Sequence, residues 1–470
     1  MRFVRRKGGS SGGGDKRLRS IFNVAFLVAI AVAFFTINFS VQAFKAARVD
    51  PDILQSLDAG KPVTAYVVAT ATINVRAEKV WRFGDALIYK VRLLSKQDLQ
   101  RLLASPRVKS IWGERVFRHP TPSFSVASTT YNLTRDIKWE VHKRGAVWAG
   151  RGVTVAIIDT GIDYTHPDFY DADNNTIVKV FVSVLFVSAY TKQPIFWVVG
   201  VNGSIDDLYR FDMSLREQYN ETAFLDLNGH GTHVAGIVAG RGWASNGRYR
   251  GLAPGAELVI IKAFNKDGTA SMDLALDALQ WVHDHHAEYG IKVLSLSWGA
   301  AMASDGSDPI SVACDEIAER GVFVFAAAGN LGNFPTTVMI PAAARMVYAV
   351  GAWDGYTNKI APFSAMGPTV DFRMKPDFLG AGVMVVSCKS QFVDFPPELE
   401  VDKYYVALTG TSMATPCVAA VCADFIEYYR YWHHRDPSRE DWERFAQLNS
   451  IRLNPFFKDF ISGWGLPQSP

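Results

Sequence analysis

The chain has 470 residues, 49% hydrophobic and 20% charged, a balance that excludes intrinsic disorder and supplies a large apolar core. Its formal net charge is +3, with much of the basic excess at one short end, so the bulk of the protein carries no signature of nucleic-acid binding. Cys314, Cys388, Cys417 and Cys422 fit neither a zinc spacing nor a disulfide framework and read as small buried hydrophobes, with a single disulfide between unnamed partners left open for an exported chain.

The basic end comprises Arg2, Arg5, Arg6, Lys7, Lys16, Arg17 and Arg19, broken by GGSSGGG. It precedes IFNVAFLVAIAVAFFTINF, residues 21–39, an uncharged run about as long as a bilayer core requires. VQA at residues 41–43 supplies the small-residue exit of a secretory signal, while the length of the apolar run suits a retained anchor. Residues 1–45 are therefore a signal peptide or membrane anchor. In both cases the positive flank stays in the cytoplasm and the rest lies outside the cell or on its surface.

Residues 46–120 have a pattern of their own. VTAYVVATA and ALIYKVRLL read as strands, Ser95 with Asp98 opens the helix KQDLQRLLA, and VKSIW follows as a strand. This predicts a small α+β module of the split-βαβ, ferredoxin-like kind. The stretch HPTPSFSVASTT, residues 119–130, lacks periodicity and reads as an exposed linker, so residues 121–134 are assigned as a linker open to cleavage. From residue 135 to 470 the pattern changes. VTVAIID, ELVIIKAF, IKVLSLSW, VFVFAAAGN and MVYAVGAW are near-continuous apolar runs, separated by helical stretches such as SMDLALDALQWVHDHHAEYG. That alternation predicts an α/β domain with a doubly wound, mostly parallel sheet buried on both faces.

Ligands of such sheets bind beyond the carboxyl ends of strands, which directs attention to Asp159 after VTVAII, His230 in NGHGTHVAG, Asn330 after VFVFAAAG and Ser412 in LTGTSMATP. Singly, each has a plain structural role as cap or turn residue, and His230 with His233 could also be a metal pair. Jointly they supply a hydroxyl, a base, an acid group to orient that base and a donor for a developing oxyanion, which is the set that nucleophilic acyl transfer needs. His230 at a helix N-terminus would meet the positive end of the dipole, favouring the neutral imidazole. HGTH lacks the glutamate and the spacing of the H-E-x-x-H metalloprotease motif.

DTGID with HPDF, GHGTHVAG, AAAGN and GTSMATP, in that order, resemble the subtilisin-like serine protease family from about residue 137 to GWG at 463–465. The resemblance implies that Ser412 is the nucleophile, His230 the general base and acid, Asp159 its orienter, and the Asn330 side chain with the Ser412 N–H the oxyanion hole. It implies that Ser297, Trp298 and Gly299 pair with the substrate backbone as an added strand and that Ala327, Ala328 and Gly329 wall the primary specificity pocket. Residues 46–120 resemble the family's propeptide, a folding assistant and inhibitor released by self-cleavage in the linker. The expectation is a secreted or membrane-tethered serine endopeptidase made as a zymogen. Its partners would be protein or peptide substrates, its own propeptide and, through an uncleaved N-terminal helix, a membrane, with no nucleic acid. The alternative is a catalytically silent, surface-anchored binding module on the same fold. No cofactor is needed for the chemistry. A structural calcium ion is compatible with Asp168, whose position often binds it in the family, and with Asp171, Asp173, Asn174 and Asn175, although ASNGRYRG does not resemble the family's calcium loop. Residues 171–222 read as an insertion whose apolar stretches VFVSVLFV and IFWVVGV form a hairpin beside the cleft.

Overall fold

The computed structural model describes residues 49–119, 131–143, 147–187 and 193–470, of which Asp52–Pro470 form one unit. The apolar run 21–39 and linker residues 120–130 lie outside the described residues; among those described, no helix is long and apolar enough to cross a membrane.

Following helix α1 (Pro51–Asp58), strands β1 (Val63–Ala69), β2 (Ala77–Phe83), β3 (Ala86–Leu93) and β4 (Val108–Gly113) form an antiparallel sheet in the order β2-β3-β1-β4. Between β3 and β4, α2 (Lys96–Leu103) opens on the capping box foreseen at Ser95 and Asp98, each side chain bonding the other's backbone N–H. The strand order is that of a split-βαβ sheet, but residues 70–76 between β1 and β2 hold no helix, because seven residues are too few for a helical crossover. The first helix precedes the sheet instead. Tyr66, Val68, Trp81, Phe83 and Ile88 on one sheet face are buried in the same apolar cluster as Leu276 and Ala313 of the larger domain. Strand β5 (Val116–Arg118) then leaves the module.

The larger domain begins with α3 (Ile137–His142) and is built on β6 (Thr154–Asp159), β7 (Val178–Val187), β8 (Pro194–Trp197), β9 (Glu257–Lys262), β11 (Ile291–Leu296), β12 (Phe323–Ala327), β13 (Tyr348–Asp354), β14 (Lys359–Ile360) and β15 (Phe378–Ala381), with β10 (Thr269–Ser271) outside this sheet. They join in the order β14-β13-β12-β11-β6-β9-β7-β8, with β15 beside β13. Pairing is parallel throughout except at β7–β8 and β13–β14. The near-continuous apolar runs follow from coverage on both faces. Val155 and Ile157 join one core with α5 (His230–Ala239) and α8 (Thr411–His433), whereas Ala156 and Ile158 point oppositely into a second core with α6 (Met272–His285) and α7 (Pro309–Glu319).

The hairpin expected within residues 171–222 forms, but its first strand is not an insertion beside the cleft. β7 is a member of the main sheet, parallel to β9, and only β8 lies at the edge. The remainder of the segment carries α4 (Ile205–Tyr219), opened by a capping box between Ser204 and Asp207 that the sequence displays but the insertion reading passed over. All four cysteines are free and buried, as expected of small apolar side chains.

Candidate active site

Asp159 is the last residue of β6 and fully buried. Its carboxylate oxygens stand 2.9 and 3.1 Å from His230 Nδ1, and Oδ1 also accepts the Thr160 N–H at 2.8 Å. His230 is the first residue of α5, as foreseen. Gly231 lets this helix start so near the carboxylate: a Cβ there would meet Gly161 O at 2.2 Å and Asp159 Oδ1 at 3.1 Å. A second buried carboxylate, which the motif reading missed, locks the entry to the helix. Asp226 Oδ1 accepts the N–H groups of Asn228 and Gly229, and Oδ2 accepts the N–H and hydroxyl of Thr232. Burial alone would raise the Asp159 carboxyl, but the imidazoles of His230 and His119 beside it prevail and hold it far below the usual range.

His233 does not share a ligand with His230. Its Nε2–H donates to Val385 O at 2.9 Å and is 3.2 Å from Val406 O, bracing β16 (Val385–Cys388) and β17 (Tyr405–Leu408), and burial pushes its pKa down to about 3.

Ser412 is the second residue of α8. Pro416, one turn further on, has no N–H to give to the Ser412 carbonyl, so that oxygen is free to accept from Ser297 Oγ at 2.8 Å. Ser412 Oγ in turn donates to Ser297 O at 2.9 Å. The serine is therefore clamped to the strand exit of β11, with Pro416 in the second turn of the helix. His230 Nε2 is buried without a hydrogen-bond partner, so the bond from serine to imidazole is not formed in this state. Asn330 follows β12, and its Oδ1 accepts both the N–H of Thr411 at 3.0 Å and its hydroxyl at 2.8 Å. Thr411, adjacent to the serine in GTS, thereby fixes which way the amide points.

Beyond Ser297, Gly299 exchanges two backbone hydrogen bonds with Arg118, at 3.1 and 3.0 Å. Strand β5 also pairs antiparallel with β10 on its other side, so residues 116–118 are seated as an added strand at the position expected for a substrate backbone. Phe117 is fully buried with its ring edge to Trp298 at 5.5 Å, and the Trp298 indole donates to Ile158 O at 2.8 Å. Ala327 and Ala328 are buried next to Gly329, against which Met339 packs so closely that a Cβ on Gly329 would lie 2.5 Å from its sulfur. Met339 thus packs beside the three residues expected to wall a pocket, and no motif marks it. His119, assigned to a linker by composition, stacks on the His230 ring at 3.8 Å.

The module sheet docks on α6. Asp273 takes Tyr66 OH and Lys90 at 2.6 Å, Asp277 takes Lys79 at 2.6 Å and Trp81 Nε1 at 2.7 Å, and Gly84 N–H donates to His283 Nε2 at 3.2 Å while Asp284 holds Nδ1 at 2.8 Å. Desolvation, reinforced by Arg320, lowers the His283 pKa. A group held neutral by docking contributes fully above its free value of about 6.5, and its contribution is lost as the pH falls below that. Protection factors at β2 and β3, which correct for the slowing of intrinsic exchange in acid, are therefore expected to fall as the pH drops below about 6.5, and His283→Gln should flatten this dependence; Glu316, packed at Gly84 with its carboxyl raised by burial, works in the opposite sense.

The carboxylates considered for calcium accept hydrogen bonds from the chain itself. Asp168 Oδ1 accepts Ala244 N–H at 3.0 Å and Oδ2 accepts Tyr405 OH at 2.7 Å, with Cys388 Sγ at 3.6 Å. Asp171 Oδ1 accepts the N–H groups of Asp173 and Asn175. Asp168 also stands with His166 and Cys388 in a buried group whose ligand atoms all lie within 4.8 Å of one another.

The model of the Subtilase family matches residues 150–465. The chain is 32% identical over 299 residues to serine protease AprX of Bacillus subtilis, covering 60% of this chain and 59% of that one, so it spans less than two thirds of that relative. It is 31% identical to subtilisin DY of Bacillus licheniformis, covering 60% of this chain and 79% of that one. Among solved structures, the CspB protease of Clostridium perfringens is similar in fold, with a TM-score of 0.56 at 16% identity, covering 70% of this chain and 93% of that one.

Proposed function

Because this chain belongs to the subtilase family of serine peptidases, we propose that it is an exported serine endopeptidase, secreted or membrane-tethered, made as a self-processing zymogen. The observation that carries this reading is the buried Asp159–His230 pair at 2.9 Å, lying beside a strand of the chain itself seated on Gly299. In this mechanism Ser412 Oγ leaves Ser297 O when a scissile carbonyl enters, gives its proton to His230 Nε2 and attacks. Asp159 holds the Nδ1–H and stabilises the imidazolium. The Asn330 amide, turned by Thr411, and the Ser412 N–H receive the oxyanion. The proton on His230 then passes to the leaving amine, and water repeats the sequence on the acyl-enzyme.

Residues 46–120 act as the propeptide. Docking on α6 places β5 in the substrate strand position, and cleavage falls in the following linker, residues 121–134. Ser297, Trp298, Gly299, Ala327, Ala328 and Gly329 line the cleft for protein or peptide substrates.

Labelling of Ser412 by a fluorophosphonate tests the assignment, and a chain that stays unlabelled after linker cleavage would be the silent binding module. Asn330→Ala is expected to cut kcat by about 10²–10³-fold, the loss known for the subtilisin asparagine donor, with KM little changed. A change in KM alone would remove Asn330 from the oxyanion hole.

A further inference from the structure

Docking of β5 does more than occupy a cleft: it brings a second imidazole to the carboxylate of Asp159. His119 Nε2 lies 3.2 Å from Asp159 Oδ1, on the same oxygen that is 2.9 Å from His230 Nδ1. One ligand atom from each of His119, Asp159 and His230 falls within 4.8 Å of the others. His119 Nε2 is buried without a hydrogen-bond partner, so beyond the charge of Asp159 at 3.2 Å the ring nitrogen has no partner for the water it lost. The ring has a built seat. It is stacked on His230, lies 4.9 Å from Phe264 and rests over Gly268, where a Cβ would come within 2.9 Å of its Nδ1.

We propose that His119, Asp159 and His230 form a binding site for a divalent transition-metal ion of the zinc type, present only while the N-terminal module is docked. Two imidazoles and one carboxylate are a ligand set that zinc accepts, and bonds of about 2.0–2.2 Å to a tetrahedral ion set neighbouring donor atoms roughly 3.3 Å apart. The distances of 2.9 and 3.2 Å to the shared carboxylate oxygen are near that value. Binding requires the lone pair of His230 Nδ1, so the proton there is released and Nε2 takes one up, leaving the ring neutral in the other tautomer. An Nε2–H donates and cannot accept the proton of Ser412. This consequence for latency rests on His230 being the base; the binding site stands without it. Once the tail departs, only Asp159 and His230 remain and the ion is released.

The test uses the full chain carrying Ser412→Ala, stripped with chelator, titrated with Co2+ by visible absorption and with Zn2+ by calorimetry. One equivalent should bind with low-symmetry cobalt bands, and zinc should raise the thermal midpoint. His119→Gln should weaken binding by more than the roughly 10–100-fold that an outer partner of a metal ligand costs, and remove the bands. His119→Cys should restore binding and add thiolate charge-transfer absorption, which guards against a tail that merely undocks in the glutamine variant. Absence of binding in the Ser412→Ala chain overturns the proposal, as does equal binding by His119→Gln, which would place the ion elsewhere, for example at His283 and His285. Peptide hydrolysis by the wild-type chain in chelator is read separately, so failure of the metal site leaves the protease reading intact.

Discussion

Ser412→Ala in the full chain is expected to abolish peptide hydrolysis, lowering kcat by about 10⁶-fold, the size known for triad members of the subtilisin family, and to leave the linker uncut. The residual rate should lie about 10³–10⁴-fold above that in water, because the oxyanion donors and the binding strand survive the substitution. Removing Oγ deletes one hydrogen bond, to Ser297 O, while the reciprocal bond from Ser297 Oγ to the Ser412 carbonyl remains, so α8 should keep its position. Mass spectrometry of the purified chain reads maturation directly. A Ser412→Ala protein that matures as fast as wild type, with other proteases excluded, would sink the self-processing reading.

Lys143→Ala is expected to destabilise the larger domain by about 3–5 kcal/mol, the cost of leaving one partner of a buried ion pair uncompensated. Lys143 Nζ lies 2.5 Å from Asp424 Oδ2, and neither side chain is exposed. Ser469 Oγ adds a hydrogen bond to the same oxygen at 2.6 Å, tying the end of α3, the middle of α8 and the chain's C-terminal segment together. Burial opposes both charges: it pushes the Asp424 carboxyl up to about 7 and the Lys143 ammonium down, with each partner working against the shift of the other. Urea denaturation of the Ser412→Ala background measures the loss without self-digestion. The double variant Lys143→Met with Asp424→Leu should recover most of it, because apolar side chains need no solvation there. A loss below about 1 kcal/mol for Lys143→Ala would show that water reaches the pair.

The serine, histidine, aspartate and asparagine were legible because the chemistry of each imposes a local pattern. The helix start at His230 needs Gly231 to pass the carboxylate, and Ser412 is flanked by small residues where helix and strand exit meet. Parallel strands buried on both faces likewise announce themselves as unbroken apolar runs, as Val155–Ile158 do. Asp226, Thr411 and Met339 escaped notice since each acts through contacts with residues already found, and an aspartate, threonine or methionine in a loop has no spacing that reports such a contact.

From its sequence alone this protein's mostly parallel sheet, its four candidate site residues and its family follow, because periodicity and local backbone demands are written in neighbouring positions. Only the tertiary structure decided that VFVSVLFV is a strand of the main sheet, that His233 braces a hairpin, and that His119 reaches the Asp159 carboxylate. Those outcomes depend on which distant surfaces exclude water from one another. His119 and Asp159 are 40 positions apart in the chain, and nothing along it records that β5 pairs with both β10 and Gly299 to bring them within 3.2 Å.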